Sequence, residues 1–435
     1  MLDAPIIPTY RELRTPVTAQ FALTYRCNNL CNYCYNSVRS KKEICNGMDL
    51  KSALKVADEI IKNELFEVVL TGGEPLYRRD ILYPLAQTLS SENIDVTVNT
   101  NLTLINQEDL KRIKKSGVSS VFGSVPSYDE ETYNKITQSN NYKKAIKSLE
   151  QLLKADIPIA INMVVTKLNL RQVYDTGKFF NNMGINVFCA TPASPCSFMS
   201  NELMLNPMEV TRTLDALLAL RDEFKMRVDA VEPIPRCVTG DSEKYEHFFR
   251  RDCAAGKMTI SIDPNGEVMP CTHIDISYGN LLKDDLRTIW KRMNNWRDGS
   301  YAPDECGQCR EVEVCSLGCR EAARIVNGSY KCLDPWAMGK LNKNRKIYPE
   351  TPLDRKTSLM ISKGIRFRGE GDGYFVYDAP SHSILHMDKN LFGLLTKLNS
   401  RKNFTLEDVE NEFGDNSNIC TIIKFLNNRG LVVRW

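Results

Sequence analysis

From residue 17 to about 240 the chain alternates short apolar runs with longer amphipathic ones. The short runs, Ala19–Leu23, Phe66–Leu70, Val96–Val98, Ser119–Val125, Ala160–Val165 and Val187–Ala190, read as strands. Between them Asp49–Lys62, Asp80–Ser90, Gln107–Ser116 and Tyr142–Lys154 carry apolar residues at helical spacing. Strand, helix and strand at this repeat predict βα units around a parallel sheet, and six such units predict an α/β fold, a partial (β/α)6 barrel over residues 1–245. Ligands of such sheets bind at the carboxyl ends of the strands.

The periodicity weakens over 246–340, where cysteines take over and a small loop-rich domain held by metal is expected. A basic, proline-containing stretch at 341–356, with Lys343, Arg345, Lys346, Pro349 and Pro352, predicts a linker. Residues 357–435 have a pattern of their own. Strands are predicted at Leu359–Phe367, Tyr374–Tyr377 and Ser383–Leu385, with turns at Gly369–Gly373 and Asp378–Pro380. Three helices follow, with stripes Leu391/Leu394/Leu395/Leu398, Val409/Phe413 and Ile419/Ile422/Ile423/Leu426, and Leu431–Val433 closes the unit as a last strand. That is a winged-helix-like α+β layout.

Composition sharpens this picture in one respect. The chain has 435 residues, room for about three domains of roughly 150 residues. Its 42% apolar and 26% charged residues are those of an ordinary globular protein. The net charge of +3 points to neither nucleic acid nor membrane. The first twenty residues hold Asp3, Arg11, Glu12 and Arg14 and no apolar run, and no stretch nears the ~18 apolar residues of a membrane span. A soluble cytoplasmic protein without a secretion signal is therefore expected. In that compartment thiols stay reduced, so fifteen cysteines argue for metal or catalysis rather than disulfides. Three lie between 27 and 34 and seven between 253 and 332; the scattered Cys45, Cys189, Cys196, Cys237 and Cys420 read first as buried structural thiols.

The first group is Cys27-Asn-Asn-Leu-Cys31-Asn-Tyr-Cys34, on the loop leaving the first strand. Four thiolates saturate a 4Fe–4S cluster, and three leave one iron open to a further ligand. A zinc site is the alternative, but zinc usually takes a fourth ligand nearby, and no histidine precedes His247. Thr71-Gly72-Gly73-Glu74-Pro75 follows the second strand, where glycines let backbone approach a ligand and Glu74 can take an ammonium group. A plain βα turn is the alternative there.

With Tyr33 as its aromatic, the CxxxCxΦC loop resembles the radical S-adenosylmethionine superfamily. The resemblance implies that Cys27, Cys31 and Cys34 hold a 4Fe–4S cluster whose open iron is chelated by the methionine moiety of S-adenosylmethionine. One-electron cleavage of that cofactor then yields methionine and a 5′-deoxyadenosyl radical. It further implies cofactor contacts at Tyr33, Gly72, Gly73, Glu74, Asn99, Ser124 and Asn162; the last three are also ordinary polar residues of strands. Relatives often carry Asp after the fourth-strand Ser-Val pair, where this chain has Pro126.

The second group is Cys253-x12-Gly266-x4-Cys271, Cys306-x2-Cys309-x5-Cys315-x3-Cys319 and Cys332. It resembles the SPASM domain that follows some barrels of that superfamily, with a structural zinc ribbon as the alternative. The resemblance implies an outer 4Fe–4S cluster on Cys306, Cys309, Cys315 and Cys332. It implies an inner one on Cys253, Cys271 and Cys319, making three clusters in all. A fourth inner ligand found in some relatives falls at Thr259 here. Either that iron is open or Cys237 supplies the ligand. Sulfatase-maturing relatives carry Asp after the second cysteine, where this chain has Thr272, then His273 and Asp275. His273 is a possible base, with a satisfied surface histidine as the plainer reading.

From Lys363 to Trp435 there are 10 Lys or Arg and 9 Asp or Glu, a net of +1 that does not suit a nucleic-acid reader. The stretch resembles the PqqD-like peptide-binding domain of ribosomal peptide maturation enzymes, which implies leader-peptide binding by strand addition. A structural cap is the alternative. The whole resemblance implies a maturase that binds a ribosomally made precursor by its leader, takes electrons from a donor such as flavodoxin or ferredoxin, and forms a thioether or carbon–carbon cross-link. A sulfatase-maturase-like protein oxidase, a peptide epimerase and a non-enzymatic zinc-containing winged-helix regulator are the alternatives.

Overall fold

The computed structural model describes residues 12–37, 47–196, 199–339, 353–378, 383–413, 417–428 and 431–434. The linker expected at 341–356 and Cys45 fall largely or wholly outside them. The chain divides into two compact units, residues 1–345 and 346–435.

The first unit is built on one nine-stranded sheet. Its strands are β1 (Thr18–Ala22), β2 (Glu67–Thr71), β3 (Asp95–Thr100), β4 (Ser120–Ser124), β5 (Ile159–Val165), β6 (Val187–Pro192), β7 (Arg227–Asp229), β8 (Thr259–Ile262) and β9 (Val268–Met269). Their spatial order is 7-6-5-4-3-2-1-8-9, parallel from β7 through β8, with β9 antiparallel at the edge. Between the strands run α1 (Leu50–Lys62), α2 (Arg79–Ser91), α3 (Gln107–Lys115), α4 (Glu130–Thr137), α5 (Tyr142–Lys154), α6 (Val173–Asn182) and α7 (Pro207–Phe224). The six strands read from the pattern are all present. The three-residue β7 is too short to show a period, and it escaped that reading.

Caps explain where the helices begin. Asp49 accepts a hydrogen bond from Ser52 N, and reciprocal capping boxes pair Asn106 with Asp109 and Asn206 with Glu209. Alternation along the strands defines the site. Ala19, Phe21, Val68, Leu70, Val96, Val98, Val121, Ile161 and Met163 are buried. The residues between them, Gln20, Val69, Asn99, Phe122, Ser124 and Asn162, are only half-buried, and four of the six are polar. A parallel sheet covered on both faces would be apolar on both. This one leaves a polar inner face, as an open barrel does.

The cysteine-rich stretch belongs to the same compact unit as the barrel. Its β8 continues the barrel sheet, and α8 (Leu286–Arg292) and α9 (Arg320–Asn327) follow in the same unit. It also buries Ile260, Ile262, Ile289, Trp290, Trp296 and Trp336, so it carries more core than its loops suggest. Trp290 Nε1 donates to Leu13 O at 2.7 Å, and Trp336 Nε1 to Leu205 O at 3.0 Å.

In the second unit, β11 (Ile365–Glu370), β12 (Gly373–Asp378) and β13 (Ser383–Asp388) form an antiparallel meander, and β10 (Leu359–Ile361) pairs with β14 (Val432–Arg434). Helices α10 (Lys389–Asn399), α11 (Leu406–Phe413) and α12 (Ser417–Asn428) complete it around Leu359, Val376, Leu395, Leu398, Val409, Ile423 and Leu426. The single strand expected at Leu359–Phe367 is two strands in different sheets. A turn at Ser362–Gly364, closed by Gly364 N donating to Ser362 Oγ at 3.4 Å, separates them.

Candidate functional site

The loop from Leu23 to Tyr35 leaves the carboxyl end of β1 and carries Cys27, Cys31 and Cys34, all half-buried. Cys27 Sγ accepts from Asn29 N at 3.4 Å and from Asn101 Nδ2 at 3.7 Å. Burial pushes the Cys27 thiol up to about 11. Cys31 is raised further, by burial first and then by Cys34 and Cys27 beside it. Cys34 N donates to Cys31 O at 3.1 Å, and α4 pins the loop from the other side through Leu30 N to Thr137 O at 2.9 Å.

The Gly72-Gly73 pair follows β2 and packs against this loop. Gly73 N donates to Thr24 O at 2.7 Å, and Glu74 N to Arg26 O at 2.8 Å. A Cβ on Gly73 would lie 2.4 Å from Arg26 O, and one on Gly72, whose φ is +141°, would lie 2.4 Å from Thr24 O. The glycines thus let the cysteine loop dock backbone to backbone. Gly73→Ala should shift that loop, cutting cofactor cleavage by at least about tenfold while costing about 1–3 kcal/mol. Reductive cleavage assays beside urea unfolding check this, and unchanged cleavage would refute it.

Glu74 is fully buried. Its Oε1 accepts from Thr100 Oγ1 at 2.8 Å and Leu76 N at 3.2 Å, and its Oε2 from Asn101 N at 2.8 Å. Burial raises its pKa to about 7 against these donors. Its carboxylate therefore positions Asn101, which in turn reaches Cys27, and an ammonium contact would come in addition. Ser124 and Asn162 face each other across β4 and β5, with Asn99 on the same inner face of the adjacent β3. Asn162 Oδ1 accepts from Thr191 Oγ1 at 2.7 Å. Burial raises the Tyr33 hydroxyl well above its ordinary range, with Ser124 and Cys31 beside it. Tyr33, Asn99, Ser124 and Asn162 thus gather at the inner face of β3, β4 and β5.

Cys253, Cys271 and Cys319 form a second group: after burial, Cys253 raises the Cys271 thiol, and Cys253 and Cys271 both raise Cys319. Cys319 caps α9, its Sγ accepting from Ala322 N at 3.4 Å, and Ser194 Oγ donates to the same sulfur at 3.7 Å. Glu232, on the segment after β7, is the carboxylate that the sequence reading missed. Burial, and then Asp334, push it up to about 8, and its charge reaches both Cys319 and Cys271. His273 is not a surface histidine: its Nε2 lies 3.8 Å from Glu232 Oε1, and its ring stacks on Tyr35, next to Cys34, at 4.6 Å. Buried Lys257 sits near Cys253, its pKa held down to about 8 by burial. Thr259, at the place of an extra ligand in some relatives, begins β8 and donates to Thr18 O at 3.4 Å. Glu232 has no motif of its own. Only the fold carries it to the cysteines.

Cys306, Cys309 and Cys315 line a third site, a cavity that also includes Cys237. Cys237 is thus no neighbour of the inner group. Cys315 Sγ accepts from Arg236 N at 3.5 Å and Leu317 N at 3.4 Å. Cys332 does not line the cavity, and its thiol donates to Asn327 O at 3.2 Å. Of the scattered thiols, Cys189 is buried, Cys196 donates to Tyr33 O at 3.9 Å, and Cys420 donates to Glu410 Oε1 at 3.2 Å. Among the described residues no three His, Cys, Asp or Glu side chains gather closely enough for one metal ion.

With this geometry in view, the class follows. Residues 21–180 match the family model of the Radical SAM superfamily, and 253–310 that of SPASM, an iron–sulfur cluster-binding domain. The chain carries a radical S-adenosylmethionine domain followed by a SPASM domain. Among similar proteins is the AdoMet-dependent heme synthase of Methanosarcina barkeri, 24% identical over 339 residues, 74% of this chain and 96% of that protein. Mycofactocin maturase MftC of Mycolicibacterium smegmatis is 24% identical over 363 residues, 77% of this chain and 87% of its own. The crystal structure of Streptococcus suis SuiB bound to precursor peptide SuiA shares the fold, with a TM-score of 0.62 at 17% identity over 74% of this chain and 75% of that one.

These domains imply S-adenosylmethionine and 4Fe–4S clusters. Two of the three cysteine groups present thiols on loops with N–H donors aimed at sulfur, at Cys27 and at Cys319. The third, at Cys306, Cys309 and Cys315, shares the Cys315 donors and adds a cavity.

Proposed function

We propose that this chain is a peptide-modifying radical enzyme that binds a ribosomally made precursor by its leader and forms a thioether or carbon–carbon cross-link in the core. The observation that carries this reading is the second unit. It is a compact meander whose outer strands β11 and β13 each pair on one side only among the described residues. Such edges accept an extended peptide as an added strand, with main-chain hydrogen bonds giving affinity and alternate side chains giving specificity. The mycofactocin maturase and the peptide-bound SuiB support a peptide substrate.

When bound, the cofactor and its cluster would supply a carbon radical able to abstract hydrogen. Cys27, Cys31 and Cys34 would hold that cluster. Gly72 and Gly73 fix the loop in place, Glu74 sets Asn101 against Cys27, and Asn99, Ser124 and Asn162 line the inner face where the cofactor would lie. Cys253, Cys271 and Cys319 would hold an inner auxiliary cluster able to take up the electron left by coupling. Flavodoxin or ferredoxin would serve as the electron donor. The His273–Glu232 pair stands between the two cysteine loops, within reach of a peptide threaded there. No helix among the described residues is long and apolar enough to cross a membrane.

The heme synthase among the relatives favours a second reading, a small-molecule substrate. One experiment separates the two. The enzyme is co-expressed with the short reading frames beside its gene and the peptides are weighed. A loss of two hydrogens is expected for a cross-link, while an unchanged mass with altered stereochemistry would point to an epimerase. Removal of residues 353–435 should weaken precursor binding by at least about tenfold and leave uncoupled cofactor cleavage intact. Unchanged affinity for the precursor would overturn the peptide-recognition reading.

A further inference from the structure

We infer that Asn101 is a positioning residue for the first cluster: its side-chain amide, aimed at Cys27 by a strained turn and by the Glu74 carboxylate, raises the cluster's reduction potential. This rests on the reading that Cys27, Cys31 and Cys34 hold a 4Fe–4S cluster. It concerns a residue that lies outside both the cysteine loop and the Gly72–Glu74 segment. Asn101 directly follows β3 and is half-buried. Its Nδ2 donates to Cys27 Sγ at 3.7 Å and to Asn28 Oδ1 at 3.0 Å.

Three supports fix that amide. The Asn101 backbone N–H donates to Oε2 of the fully buried Glu74 at 2.8 Å. The Asn101 Oδ1 accepts from Thr103 N at 3.0 Å and from Thr103 Oγ1 at 2.7 Å, which turns the Nδ2 hydrogens toward the cysteine loop. The third support is Leu102, a buried residue other than glycine at φ +70°, a left-handed conformation that costs about 1–2 kcal/mol. Leu102 N donates to Thr100 Oγ1 at 3.0 Å, and its side chain packs so closely on Gly123 that a Cβ there would lie 2.8 Å from Leu102 Cδ1. Strain enforced by its surroundings marks a backbone shaped for a task. The group this turn presents is the Asn101 amide.

Reduction adds one negative charge to a cluster and its thiolates, so N–H donors on sulfur favour the reduced state and raise the potential. The Cys27 sulfur receives two such donors, the Asn29 backbone N–H at 3.4 Å and the Asn101 side chain. The charge of Glu74 acts on Cys27 in the opposite sense to both. A carboxylate at that place would by itself make reduction harder. Here the same carboxylate holds the amide that offsets it.

The test compares Asn101→Leu, Asn101→Asp and Thr103→Val in the full chain, reconstituted without oxygen and titrated with dithionite and redox mediators while EPR is recorded. The signal missing from the variant with Cys27, Cys31 and Cys34 all changed to alanine identifies the first cluster. Asn101→Leu should lower its reduced-to-oxidised ratio at a given potential about fivefold, which is a midpoint about 40 mV more negative. Iron content and the other midpoints should stay as in the parent. Asn101→Asp keeps the shape and puts an acceptor where the amide donates, so it should move the midpoint at least as far. Thr103→Val removes the hydroxyl that braces Asn101 but leaves Nδ2 on Cys27, so its midpoint should stay with the parent. If Asn101→Leu loses the cluster, Asn101→Asp decides. An unshifted midpoint in either Asn101 variant would overturn the inference, and so would an equal shift in Thr103→Val, which would make the network a structural clasp. Loss of the first signal from both Asn101 variants would overturn it in the same way. A parent that lacks this signal would instead overturn the cluster reading beneath it.

Discussion

Replacing Cys27, Cys31 and Cys34 together with alanine is expected to abolish 5′-deoxyadenosine formation under reducing conditions and to remove about four of about twelve iron atoms. The three thiols sit on one loop, and no other cysteine shares it. The Asn29 backbone N–H and the Asn101 side-chain amide both donate to the Cys27 sulfur, and both lose that acceptor when it is gone. Burial raises Cys27 and Cys31 well above the ordinary thiol range, so without a cation they stay protonated and offer no reducing centre. The two auxiliary groups stand on separate segments and should keep their iron. Chromatography of the cofactor products and iron analysis check the result. Continued 5′-deoxyadenosine formation by the triple variant would remove the central claim.

The second large effect is expected at Arg236. Its side chain is 3% exposed and stands between Glu246 and Glu311, the latter 5% exposed. Arg236→Met leaves Glu311 buried without its counter-charge, a change that costs about 3–5 kcal/mol. Glu246 is 20% exposed and can regain water, so Glu311 dominates the loss. The double variant Arg236→Met/Glu311→Leu should be closer to the parent than the single one, because removing both charges removes the desolvation penalty. Urea unfolding of the loaded protein measures this through the midpoint at constant slope. A single-variant loss below about 1 kcal/mol, or a double variant worse than the single, would show that the pair does not hold the turn Arg236–Val238.

Much of this was legible in one dimension because its causes are local. Strand and helix periods, capping residues such as Asn106 and Asn206, and the spacing Cys27–Cys31–Cys34 each depend on a few neighbours along the chain. The six longer strands therefore appeared in their places, and the three-cysteine loop fell at the end of the first. Short elements were lost: β7 has three residues, and the break at Ser362–Gly364 is one turn between two apolar runs.

The Gly72-Gly73 pair was read as letting backbone approach a ligand, and the structure shows the backbone of Thr24 and Arg26 approaching it as well. Glycine records that something comes close, not what it is. His273 looked like surface and is stacked on Tyr35, because burial by a distant segment leaves no local trace.

The chain by itself determined the chemistry available: three thiols at one loop, seven further on, and a C-terminal unit with near-balanced charge. Those are properties of residue type and spacing, and they survive any folding. Only the tertiary structure decided which thiols stand together. It carried Cys237 to Cys306, Cys309 and Cys315, brought Glu232 to Cys319 and His273, and joined the cysteine-rich stretch to the barrel through β8. Each of these contacts closes a loop of tens to hundreds of residues, and the packing that decides among such closures is absent from any short window of sequence.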